Sequence, residues 1–449
     1  VTTLRQQRRL LRRAGIARGS VLIIVIWVCL GLMSLTLYFA NEMSTELRAS
    51  DHRASSVTAR QAAAGGTRYA AFILGQFATN GMVPHRDDYR AEELPVGDAT
   101  VWFLGRDPDQ RPAQEPAFGF TDEASKLNLN TATRGMLEML PGMTAELADA
   151  IVAWRSRNQA GVGDSTYGRL DPPRLNKASP FETVDELRLV YGATLAILLG
   201  EDTNRNGVLD DNENDGEGSA PRDNGDGVLE PGILEYVTVY SRQPNTRASG
   251  GRRINISTPQ TRGPLLGLLQ QRFGGQRTAQ ILGAIGNSEL RSVAEFMVVS
   301  RLTPEEYAQI RGDISASSAG TIQGLINVNT ASEAVLACIP GIGPENAPAL
   351  VAYRLANPDA LTSMAWLTQI LSRAAITRAG PYITDQSYQF TADVVAVTAG
   401  GRGFCRQRTV FDLSRGAPRA VYQQDLTDYG WSLGVNLRAS LREAMGNGI

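Results

Sequence analysis

The chain has 449 residues, 43% of them apolar and 20% charged, a balance that excludes wholesale disorder and a length beyond what one compact domain needs. The formal net charge is −2, but six arginines (Arg5, Arg8, Arg9, Arg12, Arg13 and Arg18) fall within residues 1–19, so the rest of the chain carries −8. An acidic body argues against broad nucleic-acid binding, since phosphate contacts need Lys and Arg.

Reactive residue types are sparse. The three cysteines (Cys29, Cys338 and Cys405) show no C-x-x-C spacing, and neither His52 nor His85 has the Cys or acid partners that catalysis uses. No nucleophile–base pair is found, no catalytic residue is assigned and no enzyme activity is expected.

The basic tail precedes twenty uncharged residues, 21–40. As a helix they span about 30 Å, the thickness of a bilayer's hydrocarbon core, and a lone segment in lipid satisfies its backbone only as a helix. The arginine excess places residues 1–19 in the cytoplasm and the body outside it. A secretory signal peptide has a shorter apolar core and then a small-residue cleavage site, whereas residues 41–50 keep helical character. A plain membrane anchor remains open. The junction Arg18-Gly19-Ser20 looks like a prepilin-type leader, cut after Gly19 so that the mature chain begins at Ser20.

Residues 127–155 align without a gap on residues 326–354, with 13 of 29 positions identical. In each copy Thr131 or Thr330 is a candidate N-cap for a short helix carrying Leu137 or Leu336. Pro141-Gly142 and Pro340-Gly341 then make a tight turn into a second helix, a helix-hairpin-helix pattern. Such turns can bind DNA phosphates through backbone amides, and the second copy, with Gly341 and Gly343, fits that form. The first copy has Thr144 where the second has Gly343. The flanks are not basic: Arg354 stands alone beside Glu345, and Arg155 and Arg157 are offset by Glu146 and Asp149. A scaffold of packed hairpins is therefore expected, with nucleic acid not a partner. Helical stretches are also expected at 181–190, 290–299 and 361–371.

Residues 201–232 are acidic and turn-rich. Asp202, Asn204, Asn206, Gly207 and Glu213 match D-x-[DN]-x-[DN]-G-x5-E in full, the spacing of a calcium loop. Calcium takes six to eight hard oxygens. Asp202, Asn204 and Asn206 supply side-chain oxygens, Val208 its carbonyl, Asp210 a carboxylate or bridging water, and Glu213 a bidentate carboxylate. A second stretch with Asp223, Asp226 and Glu230 matches in part, because the closing position of its best register is Ile233. It either completes the first site or forms a looser one. The bland alternative is a solvated acidic linker.

Strand-like stretches, rich in Val, Tyr, Phe and Thr, occur at 99–107, 233–243, 388–399, 403–413 and 419–426. Early and late strands need each other to avoid being lone edges. The expected fold is α+β: leader 1–19, apolar transmembrane helix 20–60, a pilin-like α/β core formed by 61–120 and 386–449, and an inserted, mainly α-helical domain over 121–385.

Together these residues resemble the general secretion pathway protein K family of type II secretion along nearly the whole chain. The carriers are the Gly19-Ser20 junction with Ile24 at the fifth mature position, Asp122-Glu123 with Lys126-Leu127-Asn128-Leu129-Asn130, the helix start at 182–187, the segment 234–240, and Ile326-Asn327-Val328-Asn329-Thr330-Ala331. In most pilins the fifth mature residue is Glu, and its loss marks the K type. The resemblance implies a calcium-binding pseudopilin that caps a short periplasmic filament with the I and J minor pseudopilins above the major pseudopilin. It also implies processing by the prepilin peptidase with methylation at Ser20, and anchoring in the bacterial inner membrane with the body periplasmic. Two other readings stand beside it: a membrane protein that binds DNA for uptake, and a calcium-dependent cell-surface structural protein.

Overall fold

The computed structural model describes residues 17–77, 81–106, 115–156, 167, 168, 170, 175–399 and 401–446. Most of the expected leader lies outside these residues, as does Arg157. The chain divides into two compact units, Val1–Thr58 and Ala59–Ile449.

One helix runs from Ala17 to Phe77. In the first unit its side chains from Val21 to Phe39 are exposed, and its apolar window is long and apolar enough to cross a membrane. Ile24, 60% exposed, lies in this stretch. In the second unit the same helix becomes alanine- and glycine-rich and packs on a sheet through Ala59, Ala62, Ala63, Ala70 and Leu74. Gly66 lets it approach closely, since a Cβ there would meet the methyls of Val101 and Val394 at 2.8 Å.

That sheet is antiparallel, in the order Leu94–Val96, Ala99–Leu104, Gln389–Thr398, Phe404–Asp412, Arg419–Asp425, with Thr121–Asp122 also paired to Gln389–Thr398. Alternation along the strands gives it two apolar faces. Val101, Phe103, Val394 and Ala396 meet the long helix. Trp102, Leu104, Val395 and Val397 meet Leu433, Leu437 and Leu441, the last two from a C-terminal helix, Gly434–Gly446, in a region expected to hold strands only. The central strand Gln389–Thr398 is buried at every position, so early and late strands do close on each other. The mixed α+β content and the long apolar N-terminal helix expected from sequence are both present.

Between Asp122 and Ile383 the chain is mainly helical. Each repeat copy has a short and a longer helix, Arg134–Glu138 with Ala145–Arg155, and Glu333–Ala337 with Gly343–Ala356. The caps differ from expectation. Thr133 and Ser332, two residues past Thr131 and Thr330, accept from Met136 N and Val335 N. The cause is a turn in front of each helix: Asn128 and Asn327 accept from the amides of Asn130 and Asn329, and their carbonyls accept from Ala132 N and Ala331 N. The helix is delayed by two residues.

Residues 233–243 are not one strand. Ile233–Tyr236 is a helical turn that brings Glu235 to Arg106 at 3.0 Å, followed by short strands Val237–Thr238 and Arg242–Pro244. The stretches expected as helices at 181–190 and 361–371 are 3-10 turns, Val184–Leu189 and Met364–Gln369, while Val293–Val299 is α-helical.

Each copy is closed by a two-residue parallel pairing: Leu127–Asn128 with Val237–Thr238, and Ile326–Asn327 with Ile383–Thr384. A third unit shows the same closure, Ile254–Asn255 with Ile314–Ser315, over a separate core of Ile256, Leu265, Leu269, Ile281 and Phe296. The two repeat copies share one core, which includes Leu137, Ile151, Leu336 and Leu350.

Candidate cation loop

The acidic segment is held at both ends. Leu195–Leu199 ends at Gly200; Gly232 N donates to Leu199 O at 2.8 Å, and Glu201 N to Glu230 O at 3.0 Å. Between these ties the chain curls on its own side chains. The amides of Asn206 and Gly207 donate to the Asp202 carboxylate at 2.8 and 3.0 Å. Asn204 Oδ1 accepts from Asn206 N, and Asn206 Oδ1 from Val208 N, at 3.0 and 2.7 Å. The curl needs a left-handed residue at Gly207, where φ is +74°.

The acids converge on this curl. Asp210 Oδ2 accepts from the amide groups of Asn204 and Asn206 at 2.7 and 3.0 Å. Glu213 accepts from Thr203 N at 3.1 Å and Asp210 N at 3.3 Å. Asp202 and Glu213 are only 3% and 1% exposed. Burial, then the nearby Asp202 carboxylate, push the Glu213 carboxyl up to about 8. Burial also raises Asp202 and Asp210. No Lys or Arg pairs directly with Glu213 or Asp210 among the described residues; Arg106 stands 4.0 Å from Asp202.

Among the described residues no group of three or more His, Cys, Asp or Glu is arranged to hold a metal. Any ion held here therefore depends on the Asn oxygens and the Val208 carbonyl as well as on the acids. That donor set is all hard oxygen, and two of its carboxylates, Asp210 and Glu213, have no paired Lys or Arg among the described residues, so the residues present fit a calcium-type cation. A bound cation would take the place of the hydrogen bonds that two neutral amide groups now give Asp210.

The outer side of the curl is where sequence reasoning fell short. The carbonyls of residues 204, 205 and 206 turn outward onto three arginines of the sheet region. Arg406 donates to Asn204 O and Arg205 O, each at 2.6 Å. Arg106 donates to Arg205 O at 2.7 Å and Asn206 O at 3.1 Å. Arg408 reaches Arg205 O at 3.3 Å. Asp393 pairs with Arg406 and Arg408 at 2.8 and 2.6 Å. Burial alone would raise the Asp393 carboxyl, but the two guanidiniums override it and hold it well below the usual range. The signal was an Asp in the middle of an apolar strand and two Arg at i, i+2 on the next, which share one face.

The second acidic stretch is spent differently. Asp223 accepts from the amides of Asp215, Gly216 and Gly225, while Asp226 and Glu230 are exposed. These three acids are not gathered with the first loop's set.

The repeat turns also differ. Gly142 (φ +69°), beside Pro141, borders an open cavity of about 920 Å³. Gly341 (φ +94°), beside Pro340, packs against the backbone of Ala375 and Ala379, and the Glu345 carboxylate lies over Gly343. Arg354, the lone basic residue of the second hairpin, is buried and donates to Val328 O and Ala331 O at 3.1 and 2.7 Å. Arg155 does the same to Leu129 O and Ala132 O. Asp149 is taken up by Arg134. Gly19 and Ser20 fall near the start of the long helix.

Comparison with known proteins gives a structural likeness and a family match of different weight. One solved structure, the GspK-GspI-GspJ complex of the enterotoxigenic Escherichia coli type 2 secretion system, is similar at 9% identity and a TM-score of 0.34, covering 86% of this chain and 99% of that one. No curated protein matches the sequence. A family model does: residues 123–199, from the buried Glu123 through the first repeat copy to the helix that enters the cation loop, match protein K of the type II secretion system, the family that the motifs resembled.

Proposed function

We propose that the chain is a minor pseudopilin of the K type in a type II secretion system. The observation that carries the reading is the protein K match over residues 123–199, on a chain that also has a long exposed apolar helix at its N-terminal side. The role is mechanical. The stretch 21–40 holds the subunit in the bacterial inner membrane, with residues 1–19 cytoplasmic and the body periplasmic. Prepilin peptidase cuts after Gly19, the new amine of Ser20 is methylated, and the helix moves from lipid into the filament. Ile24 leaves no carboxylate to pair with a subunit above, which suits the tip position. There the subunit joins the I and J minor pseudopilins over the major pseudopilin and supports export across the outer membrane. Ca²⁺ on Asp202, Asn204, Asn206, Val208, Asp210 and Glu213 is structural. The hairpin-like copies act as scaffold, in keeping with the buried Arg354 and the packed Gly341 turn.

Mass spectrometry of the mature N-terminus, in a host with the processing machinery, tests the reading. A methylated Ser20 start is expected. An intact arginine tail on the mature membrane-anchored protein sinks it.

A further inference from the structure

We infer that Arg106, Arg406 and Arg408 are positioning residues for the cation loop, and that through them ion binding is tied to the order of the pilin-like sheet. A loop that aims side-chain oxygens inward must turn its carbonyls outward, and a buried carbonyl needs a donor. Here three consecutive carbonyls, of residues 204, 205 and 206, receive five guanidinium hydrogen bonds between 2.6 and 3.3 Å. Bonds from charged donors are stronger than amide pairs, and the planar fork fixes direction as well as distance.

The arginines are themselves held. Arg406 is fully buried, and it shares Asp393 with Arg408. Arg106 is fixed by Glu235 at 3.0 Å, from the helical turn that follows the loop. The loop is thus set from behind by Gln389–Thr398 and Phe404–Asp412, about two hundred residues further along the chain. An ion that tightens the curl pulls on carbonyls anchored to that sheet, and a sheet that keeps its arginines in place lowers the cost of forming the curl.

A simpler electrostatic view predicts the opposite sign. Three cations next to a divalent-ion site repel the ion, and removing one would then tighten binding. The sign of one substitution separates the two.

This inference rests on the calcium reading of the loop, and the test separates their failures. The full chain in detergent is titrated with calcium chloride by calorimetry, as wild type and as Arg106→Gln. The expected result is wild-type binding and a loss of about tenfold or more in the variant, the scale at which supports behind metal ligands act. Equal or tighter binding by Arg106→Gln overturns the inference and leaves the calcium reading standing. No binding by the wild type overturns both. Hydrogen exchange supplies the second readout: calcium is expected to slow amides in Phe404–Asp412 as well as in the loop, and protection confined to the loop overturns the link to the sheet. If Arg106→Gln loosens Gln389–Thr398 without calcium, Arg106→Lys, which keeps the charge but loses the fork, is judged by the same criterion.

Discussion

The two copies at 127–155 and 326–354 solve one problem in the same way and are then used differently. In both, an Asn opens a turn, an Arg at the far end of the second helix reaches back to the carbonyls in front of the first, and a second Asn braces the 3-10 turn that follows. Asn130 exchanges hydrogen bonds with Phe181, and Asn329 donates to Leu361 O while accepting from the Trp366 indole. Asn128 and Asn327 even find equivalent serines, Ser241 and Ser387. The difference is what lies between the second helix and the closing strand. Only the first copy has the cation loop inserted there, and only the second has its turn buried against a following helix. The identical Asn and Arg positions satisfy backbone inside each unit, and the stretch that differs between the copies carries the cation loop.

The largest expected effect tests the shared Arg. Arg354 is 3% exposed and serves two carbonyls, whereas Arg155 is half-buried. Arg354→Met leaves both carbonyls without their donor and is expected to cost roughly 3–5 kcal/mol in urea unfolding; Arg155→Met, where water can replace the donor, should cost about half as much. Equal losses would erase the distinction between a buried and a wet copy.

Calcium should act on the first copy alone, whereas pH also acts through Asp122, which Thr330 and Asn327 of the second copy hold. Calcium at about a hundredfold excess over its Kd is expected to raise stability by about 2.7 kcal/mol. The pH dependence carries a sign. A carboxyl raised on folding binds more protons in the native state, so stability is highest below its unfolded value and falls as pH rises toward its folded value. Glu213, raised to about 8, and Asp122, raised to about 6 by burial, therefore both lower stability as pH climbs from about 4, each by up to about 1.4 kcal/mol per unit. In chelator the decline should continue to about pH 8. With calcium the part above about pH 6 should vanish, because Glu213 is then ionised and coordinated, while the Asp122 part remains. A calcium-independent profile would break the assignment of Glu213.

Much of this was legible in the residues and some was not. The repeat and the three long sheet strands announce themselves through spacing, because each depends on contacts local in sequence. The third unit escaped because it keeps only the closing strand pattern of Ile254-Asn255 and replaces the hairpin with a long helix broken at Gly274. Gly434–Gly446 was missed because its apolar residues answer to Trp102 and Val395, far away in the chain. The arginine clamp was hidden for the same reason: Arg406 has no meaning until the sheet sets it behind Asn204.

The second Asn of each copy sharpens the comparison at an intermediate scale. Asn130→Ala and Asn329→Ala each remove two bonds and are expected to cost roughly 1–3 kcal/mol. Only the second strips the Trp366 indole of its acceptor, so a shift in tryptophan emission is expected for Asn329→Ala and not for Asn130→Ala. The same shift in both would mean that the two copies are coupled more tightly than their separate bracing suggests.

The smallest effects decide which hydroxyls cap. Thr133→Ala and Ser332→Ala should each cost about 1 kcal/mol, the usual worth of an N-cap. Thr131→Ala, at an exposed position, should stay within about 0.5 kcal/mol. Thr330 is the informative case, because its hydroxyl donates to the Asp122 carboxylate at 2.6 Å, alongside Ser387 and Asn327. Each of these donors favours the ionised carboxylate against the burial that opposes it. Thr330→Ala should therefore move the Asp122 titration upward from about 6, extending the pH range over which the calcium-loaded protein loses stability. A Thr330 that merely capped the helix would lower stability equally at every pH, so a pH-independent loss would return it to the role that its place in the sequence first suggests.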